Sequence, residues 1–288
     1  MIWNRLGVLT DEVSPDLVTA LDWAAGKGLK HVEIRMVDGR NVMALSDEEI
    51  DRVRRETEAR GLFVSAVASP VFKCSLDPSR EVASGDTFGQ AEESVEAHFL
   101  KLNRAMEIAK RLGAGQIRIF SFWREKEPGL HQEEIAGKLK EAAEMADKEG
   151  ITLLLENEPA CNGGFAEEVA RLTEAVGHPR LRVLWDPGNE AYGGRSAYPE
   201  GYNEVSRVLG HVHLKDAYLQ EDGTPKCVPI GQGAVPMAEQ IRALEANGYT
   251  GLYTIETHYI PEGGTAMEGT ALTLEGLADV LGAGSAKP

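Results

Sequence analysis

The chain alternates short apolar runs with longer amphipathic stretches, and it does so eight times. The apolar runs have strand character and lie near 6–10, 31–35, 62–69, 116–120, 151–157, 181–186, 211–215 and 252–256. The stretches between and after them have helical periodicity, near 15–27, 47–60, 90–112, 131–149, 165–176, 200–209, 236–247 and 269–282. This alternation is typical of parallel strands joined by crossover helices, and eight such units close a barrel. We therefore predict an α/β fold, a (β/α)8 TIM barrel.

Local signals at the helix ends support these divisions. Ser14 stands before Pro15, Ser46 is followed three residues later by Glu49, and Pro236 opens the seventh helix, as expected at helix starts. Glycines with the left-handed conformation that ends helices are expected at the other end. They are Gly28, Gly61, Gly113, Gly150, Gly177 and Gly248.

The element count predicts a single domain over residues 1–288, in which the tail 282–288 is the only candidate for disorder. Three segments exceed a minimal connection, and all follow the carboxyl ends of predicted strands: 70–89, 187–202 and 217–235. In α/β barrels this face carries the active site, so we expect these loops to form its wall or lid.

Four potential metal ligands end four successive predicted strands: Glu156 in LLLENEP, Asp186 in VLWDPGN, His213 in HVHLKD and Glu256 in YTIETH. Period-two alternation along each strand points all four inward. A single acidic residue at a strand end more often caps the next helix, but four together favour a metal centre, because buried carboxylates need a compensating cation. Oxygen-rich coordination with one imidazole favours Mn²⁺, with Mg²⁺, Co²⁺ and Zn²⁺ as alternatives.

The phrases VEIR, ASPVFK, LLLENE, WDPGN, HVHLKD and IET resemble the sugar phosphate isomerase/epimerase superfamily of xylose isomerase-like TIM barrels over nearly the whole chain. The resemblance implies the same four residues as ligands of one divalent metal. It also implies that Glu156 and Glu256 act as an acid/base pair that moves a proton next to a carbonyl. Relatives of this kind are commonly dimers or tetramers, so the resemblance also implies a homo-oligomer.

We therefore expect an enzyme of carbohydrate metabolism, a metal-dependent isomerase or epimerase acting on a ketose or keto-polyol. The alternative is a lyase with the same site, which resembles inosose dehydratase or the enzymes that cleave 3-keto-glycosides, including C-glycoside deglycosidases. Two departures from the ketose 3-epimerase pattern leave the reaction open. Asn189 stands where those enzymes have His, and the segment after His213 carries Lys215 and Asp216 but lacks their Arg.

Further residues are candidates for contact with the substrate, each beside a simpler structural interpretation. Glu33 could instead pair with Arg35 inside the barrel, and Lys215 with Asp186 or Glu156. The remaining candidates could equally lie in loops, on the surface or in the core. They are Lys73, Trp123, Arg124, Asn189 and His258.

Composition excludes several other classes of protein. A formal net charge of −16 opposes nucleic-acid binding, and an apurinic-site endonuclease would also need histidines that this chain lacks. A non-catalytic subunit would not need both proton-transfer carboxylates. Three widely spaced cysteines, no secretion signal and no membrane-length apolar run predict a cytoplasmic protein whose partner is a small carbohydrate.

Overall fold

A closed barrel of eight parallel strands forms the centre of the molecule, and the computed structural model describes residues 2–282. The barrel strands are β1 (Leu6–Leu9), β2 (His31–Ile34), β3 (Phe63–Ala68), β4 (Gln116–Ile119), β5 (Thr152–Glu156), β6 (Leu181–Trp185), β7 (Leu209–Leu214) and β8 (Tyr253–Ile255). Each pairs with its neighbours in sequence, and β8 closes the barrel on β1. The predicted TIM barrel is confirmed. Most of the predicted tail lies outside the described residues.

Helices surround the barrel. They are α1 (Leu17–Gly26), α2 (Asp47–Glu58), α3 (Val95–Leu112), α4 (Gln132–Lys148), α5 (Ala166–Val176), α6 (Pro187–Tyr192), α7 (Tyr202–Val205), α8 (Met237–Ala246) and α9 (Ala266–Val280). Ser46 and Glu49 form the expected capping box at α2. At α1 the cap is Asp16 rather than Ser14, because the Asp16 side chain accepts the Thr19 N–H. None of the helices within residues 2–282 has the length and apolar composition that a bilayer crossing requires.

The segment between β6 and β7 differs from the predicted helix at 200–209. A short helix, α6, begins directly after Asp186, and a π-helical turn (Ala197–Gly201) then leads into the single turn of α7. Pro187 occupies the first helical position of α6, where its fixed φ and missing N–H favour a helix start. The helix after β6 is therefore split into two short pieces.

The loops that follow the strands contain structure of their own. Segment 217–235 contributes to an antiparallel hairpin of Asp216–Leu219 with Pro225–Val228. Segment 70–89 contains one isolated bridge, between Val82 and Glu125. Both lie after carboxyl ends of barrel strands, on the face where TIM-barrel active sites are built.

The barrel interior is apolar on one side and polar on the other. Ala66 and the leucines Leu154 and Leu184 form a separate buried cluster inside it. Toward β2 and β7 the buried interior residues include Glu33 and His211, neither of which is exposed. The polar side supports the cluster described next.

Candidate metal centre

Glu156, Asp186, His213 and Glu256 converge at the carboxyl end of the barrel. Glu156 ends β5, Asp186 follows β6, His213 lies in β7, and Glu256 follows β8. Each is at most 2% exposed. Each offers one ligand atom, and the four atoms lie within 4.8 Å of one another. The four residues predicted as ligands thus form one compact cluster.

The imidazole of His213 faces the cluster with one nitrogen and the barrel interior with the other. Its Nδ1 lies 3.1 Å from Oε2 of Glu256 and 3.7 Å from Oε1 of Glu156. Its Nε2 lies 3.2 Å from Oε2 of Glu33. Nδ1 is therefore the nitrogen that could join the three carboxylates around an ion.

Asp186 acts both as a helix cap and as a member of the cluster. Its Oδ1 accepts the Asn189 N–H at 3.0 Å and so caps α6. Its Oδ2 is buried and forms an ion pair with Lys215, whose Nζ lies 2.7 Å away. This buried oxygen already binds one cationic group, the Lys215 ammonium, so its position suits a metal cation as well.

Arg118 and Lys215 compensate part of the negative charge of the cluster. Nη1 of Arg118 lies 3.3 Å from a carboxylate oxygen of Glu156 and 3.3 Å from one of Glu256. Besides its contact with Asp186, Lys215 lies 3.5 Å from Glu256. Arg118 belongs to β4 and is 1% exposed.

Arg35 is a third cation, and its contacts correct one interpretation of the sequence. It does not pair with Glu33. Its guanidinium contacts Asp11, Glu12 and Glu256 at 2.8, 2.7 and 2.9 Å. Since alternate strand residues share a face but extend at different depths, Arg35 reaches the top of the barrel while Glu33 stays in the interior.

The network has more carboxylates than fixed cations. The carboxylates joined by these contacts are Asp11, Glu12, Glu33, Glu156, Asp186 and Glu256. Within residues 2–282 the arginine and lysine side chains that contact them in this network are Arg35, Arg118 and Lys215. Six carboxylates thus face three fixed cations, and the imidazoles of His213 and His258 lie among them. A divalent ion that displaces a proton from this network would fit the charge as well as the oxygen-rich donor set.

The pKa values of the cluster reflect this crowding. Burial alone would raise the pKa of Glu256, but Lys215, His213 and His258 hold it well below its ordinary value. Burial raises the pKa of Asp186, and the charge of Lys215 opposes that shift. Burial opposes protonation of His213, but Glu33 and Glu256 raise its pKa well above the ordinary value. An ion that binds Nδ1 would therefore have to displace a proton.

A cavity of about 520 Å³ opens above the cluster. Of the residues predicted to contact a substrate, four line it, namely Lys73, Asn189, Lys215 and His258. The Lys73 ammonium donates to the Asp86 carbonyl and lies 3.4 Å from Glu158.

The other three predicted contacts lie outside the cavity lining. Trp123 is 2% exposed and donates its indole N–H to Glu92. Arg124 forms a bidentate ion pair with Glu168 at the start of α5. Glu33 is buried beneath His213.

Arg118 and Phe88 are among the cavity residues that were not singled out in the sequence. Arg118 carried a signal, since it is a charged residue in the otherwise apolar run QIRIF. Phe88 had none, because it comes from a loop. Its ring lies 4.9 Å from Arg35, 4.5 Å from Lys73 and 5.2 Å from Arg118, and its φ is +53°. Such strained backbone persists only where surrounding contacts hold it.

The close approach of α6 to β7 depends on Gly188, in the phrase WDPGN. A Cβ added there would lie 2.6 Å from Cβ and Cγ of Lys215 and 2.8 Å from its carbonyl oxygen. The absence of a side chain thus sets the spacing between Asp186 and Lys215.

The family model for the xylose isomerase-like TIM barrel matches residues 21–278. No curated protein matches the chain at the level of sequence.

Solved structures share the fold at low identity. A xylose isomerase domain protein from Planctomyces limnophilus is 19% identical, with a TM-score of 0.73 and 96% of each chain covered. The IolI protein with a bound zinc atom is 18% identical, with a TM-score of 0.73 and coverage of 97% of this chain and 98% of that one. D-psicose 3-epimerase from Clostridium cellulolyticum H10, solved with D-tagatose, is 16% identical, with a TM-score of 0.68 and the same coverage.

Proposed function

The chain belongs to the xylose isomerase-like TIM barrel family, and from this premise and the geometry of the cluster we propose that it is a divalent-metal-dependent sugar isomerase or epimerase. It removes a proton from the carbon next to the carbonyl of a ketose or keto-polyol. The epimerase among the similar structures supports the reaction class. That it is a cytoplasmic homo-oligomer stays a prediction.

The observation that carries the proposal is the pair of carboxylates held by one guanidinium. Glu156 and Glu256 both line the cavity, and Arg118 lies 3.3 Å from each. One residue, as the carboxylate, takes the proton from carbon, while the C–H electron pair forms a carbon–carbon double bond and the carbonyl π pair moves to oxygen. The other residue, in its carboxylic acid form, then gives its proton to the same carbon as the carbonyl re-forms. Arg118 keeps both carboxylates oriented toward the same volume.

Glu156, Asp186, His213 and Glu256 would hold the ion. We favour Mn²⁺ because of the oxygen-rich donors, with Mg²⁺, Co²⁺ and Zn²⁺ as alternatives. A bound divalent ion would polarise the substrate carbonyl and so lower the barrier to loss of the neighbouring proton. The zinc atom in the similar IolI structure supports a divalent ion.

We propose an unphosphorylated substrate. Three cavity cations are already engaged, since Lys73 contacts Glu158, and Arg118 and Lys215 contact carboxylates of the cluster. Lys226 also lines the cavity but is exposed. A phosphate would have to compete with these ion pairs. Lys73, Asn189, Lys215 and His258 would instead contact hydroxyl groups, since each lines the cavity.

A lyase remains the second candidate, and His258 favours it. Its side chain is 40% exposed, it lines the cavity, and its Nε2 lies 3.4 Å from Glu256. An imidazole there could protonate a leaving group after Glu256 or Glu156 has removed the proton. Elimination and epimerisation share the first step and differ in whether that group departs.

The test is proton NMR in D₂O on protein loaded with Mg²⁺ or Zn²⁺, against free ketoses, ketose phosphates, inososes and 3-keto-glycosides. Ion-dependent deuterium uptake next to a carbonyl, with the carbon skeleton and substituents intact, is the expected result. Uptake with elimination would replace the isomerase by the lyase. No uptake across the panel by protein that holds its metal would overturn both.

The variants Glu156→Gln and Glu256→Gln should abolish uptake, because an amide cannot accept the proton. Glu125→Gln is the matched control, since Glu125 is also a buried carboxylate, 4% exposed, but contacts Arg80 and His131 outside the cluster. Undiminished uptake in both test variants would remove the acid/base roles.

A further inference from the structure

The side of His213 that faces away from the cavity contacts a buried carboxylate. Nε2 of His213 lies 3.3 Å from Oε1 and 3.2 Å from Oε2 of Glu33. Glu33 belongs to β2 and has no exposed surface. A carboxylate only accepts hydrogen bonds, so this contact requires the proton of the imidazole to be on Nε2. Nδ1 faces the cavity carboxylates. When Nδ1 loses its own proton, its lone pair is free to bind an ion.

A second imidazole holds Glu33 in place. Nε2 of His211 lies 2.7 Å from Oε1 of Glu33 and 2.9 Å from Oγ1 of Thr254. The two histidines alternate along β7, so both rings point into the barrel. Glu33 thus accepts hydrogen bonds from the rings of both His211 and His213.

These contacts also define a competing site. Glu33, His211 and His213 lie close enough to hold an ion themselves, and that ion would bind Nε2 of His213 rather than Nδ1. The competing trio offers one carboxylate and does not open to the cavity, whereas the Nδ1 side offers three carboxylates and the cavity. A divalent ion that must also meet a substrate fits the Nδ1 side better.

We propose that Glu33, held by His211, is the positioning residue that fixes the tautomer of His213 so that Nδ1 binds the metal. This inference rests on the proposed metal centre. The sequence singled out Glu33 as a substrate contact. The structure instead assigns it to the opposite side of a ligand, where a hydrogen-bonded carboxylate orients the ring.

The first test needs no substitution. In the Zn²⁺ form, ¹⁵N NMR of the imidazoles should show His213 with a proton on Nε2 and zinc on Nδ1. Zinc on Nε2 would overturn the proposal and move the ion to the deeper trio. If the unaltered protein did not bind zinc at all, the proposed metal centre itself would be wrong. The two failures are therefore distinguishable.

The second test compares Glu33→Gln with Glu125→Gln. An amide has one acceptor oxygen, and if that oxygen stays with His211 its NH₂ group takes the place of Oε2, 3.2 Å from Nε2 of His213. The amide NH₂ then opposes the N–H of His213, which weakens the contact or favours the other tautomer. We expect Glu33→Gln to bind Zn²⁺ or Mn²⁺ about 10- to 100-fold more weakly by calorimetric titration, and its Co²⁺ absorption spectrum to shift. Glu125→Gln, a buried carboxylate 2.8 Å from His131, should bind as the unaltered protein does.

Melting of the metal-free variants separates positioning from general stability. Glu33→Gln should bind metal more weakly than the control Glu125→Gln even where the two metal-free variants melt at the same temperature. Unchanged affinity and an unchanged Co²⁺ spectrum would overturn the proposal. Should Glu33→Gln fail to fold, the nitrogen assignment in the unaltered Zn²⁺ protein still decides.

Discussion

Arg118 is an arginine that contacts both of the proposed proton-transfer carboxylates. Substitution Arg118→Met keeps the length of the side chain but leaves Glu156 and Glu256 with less compensation. Breaking such a buried pair typically costs about 3–5 kcal/mol, so the metal-free variant should lose about that much unfolding free energy. A divalent ion should restore part of it. Urea unfolding with chelator and with Zn²⁺ measures both, and equal stability of the metal-free proteins would contradict this account.

His98 predicts how stability depends on pH. Its Nδ1 accepts the Phe72 N–H at 2.8 Å, and burial lowers the pKa of His98 to about 4. Below pH 6.5 His98 is protonated in the unfolded chain, whereas in the folded chain it stays neutral until about pH 4. The unfolding free energy therefore falls as pH falls through this window, by up to about 3 kcal/mol from this residue.

The variant His98→Asn tests this directly. Its amide oxygen can still accept the Phe72 N–H but does not titrate. Unfolding curves between pH 8 and pH 4 should show a smaller decline than in the unaltered protein, whatever the difference at pH 8. Parallel curves would mean that other groups carry the acid sensitivity.

At the level of elements, Gly188 limits how closely α6 can approach β7. Gly188→Ala should cost about 1–3 kcal/mol, since its Cβ would overlap Lys215. It should also weaken metal binding by moving Asp186. Gly137→Ala in α4 is the control, because a Cβ there meets nothing within 4 Å, and it should stabilise by about 0.5–1 kcal/mol. Thermal melts and metal titrations of the pair give the comparison, which fails if both variants behave alike.

The elements that the sequence predicted well are those that repeat a simple period. All eight strands lie within two residues of their predicted ends, because apolar runs and glycine helix ends bound them. The region 187–209 was mispredicted, since α6 and α7 have six and four residues, too short for a periodic signal. The four proposed ligands were predicted from their positions at strand ends, and the structure brings them together. Phe88 and the contacts of Arg35 depend on loop conformation, which no local pattern encodes.

At the scale of the molecule, the proposed metal centre would link folding to metal content, because its carboxylates are buried. Because the cluster forms only in the barrel, an ion that binds it stabilises the folded state alone. Free ion at 100 times its dissociation constant should add about 3 kcal/mol to the unfolding free energy. Thermal melts across a Zn²⁺ titration, with a chelated sample as reference, measure this. A melting temperature that does not respond would oppose the proposed centre.

The origin of the charges along the chain has a consequence for how the protein can be made. Both guanidiniums of the network come from the first four strands, Arg35 after β2 and Arg118 in β4, while Glu156, Asp186 and Glu256 come from the last four. During synthesis the ribosome thus releases both arginines before Glu156 and Glu256, although Asp11 and Glu12, which also contact Arg35, precede it. A gene cut between β4 and β5 would encode two half-barrels, each with unmatched buried charge. Neither half contains all the partners of its own charged side chains. Co-expressed halves would therefore have to associate before either could bury these side chains.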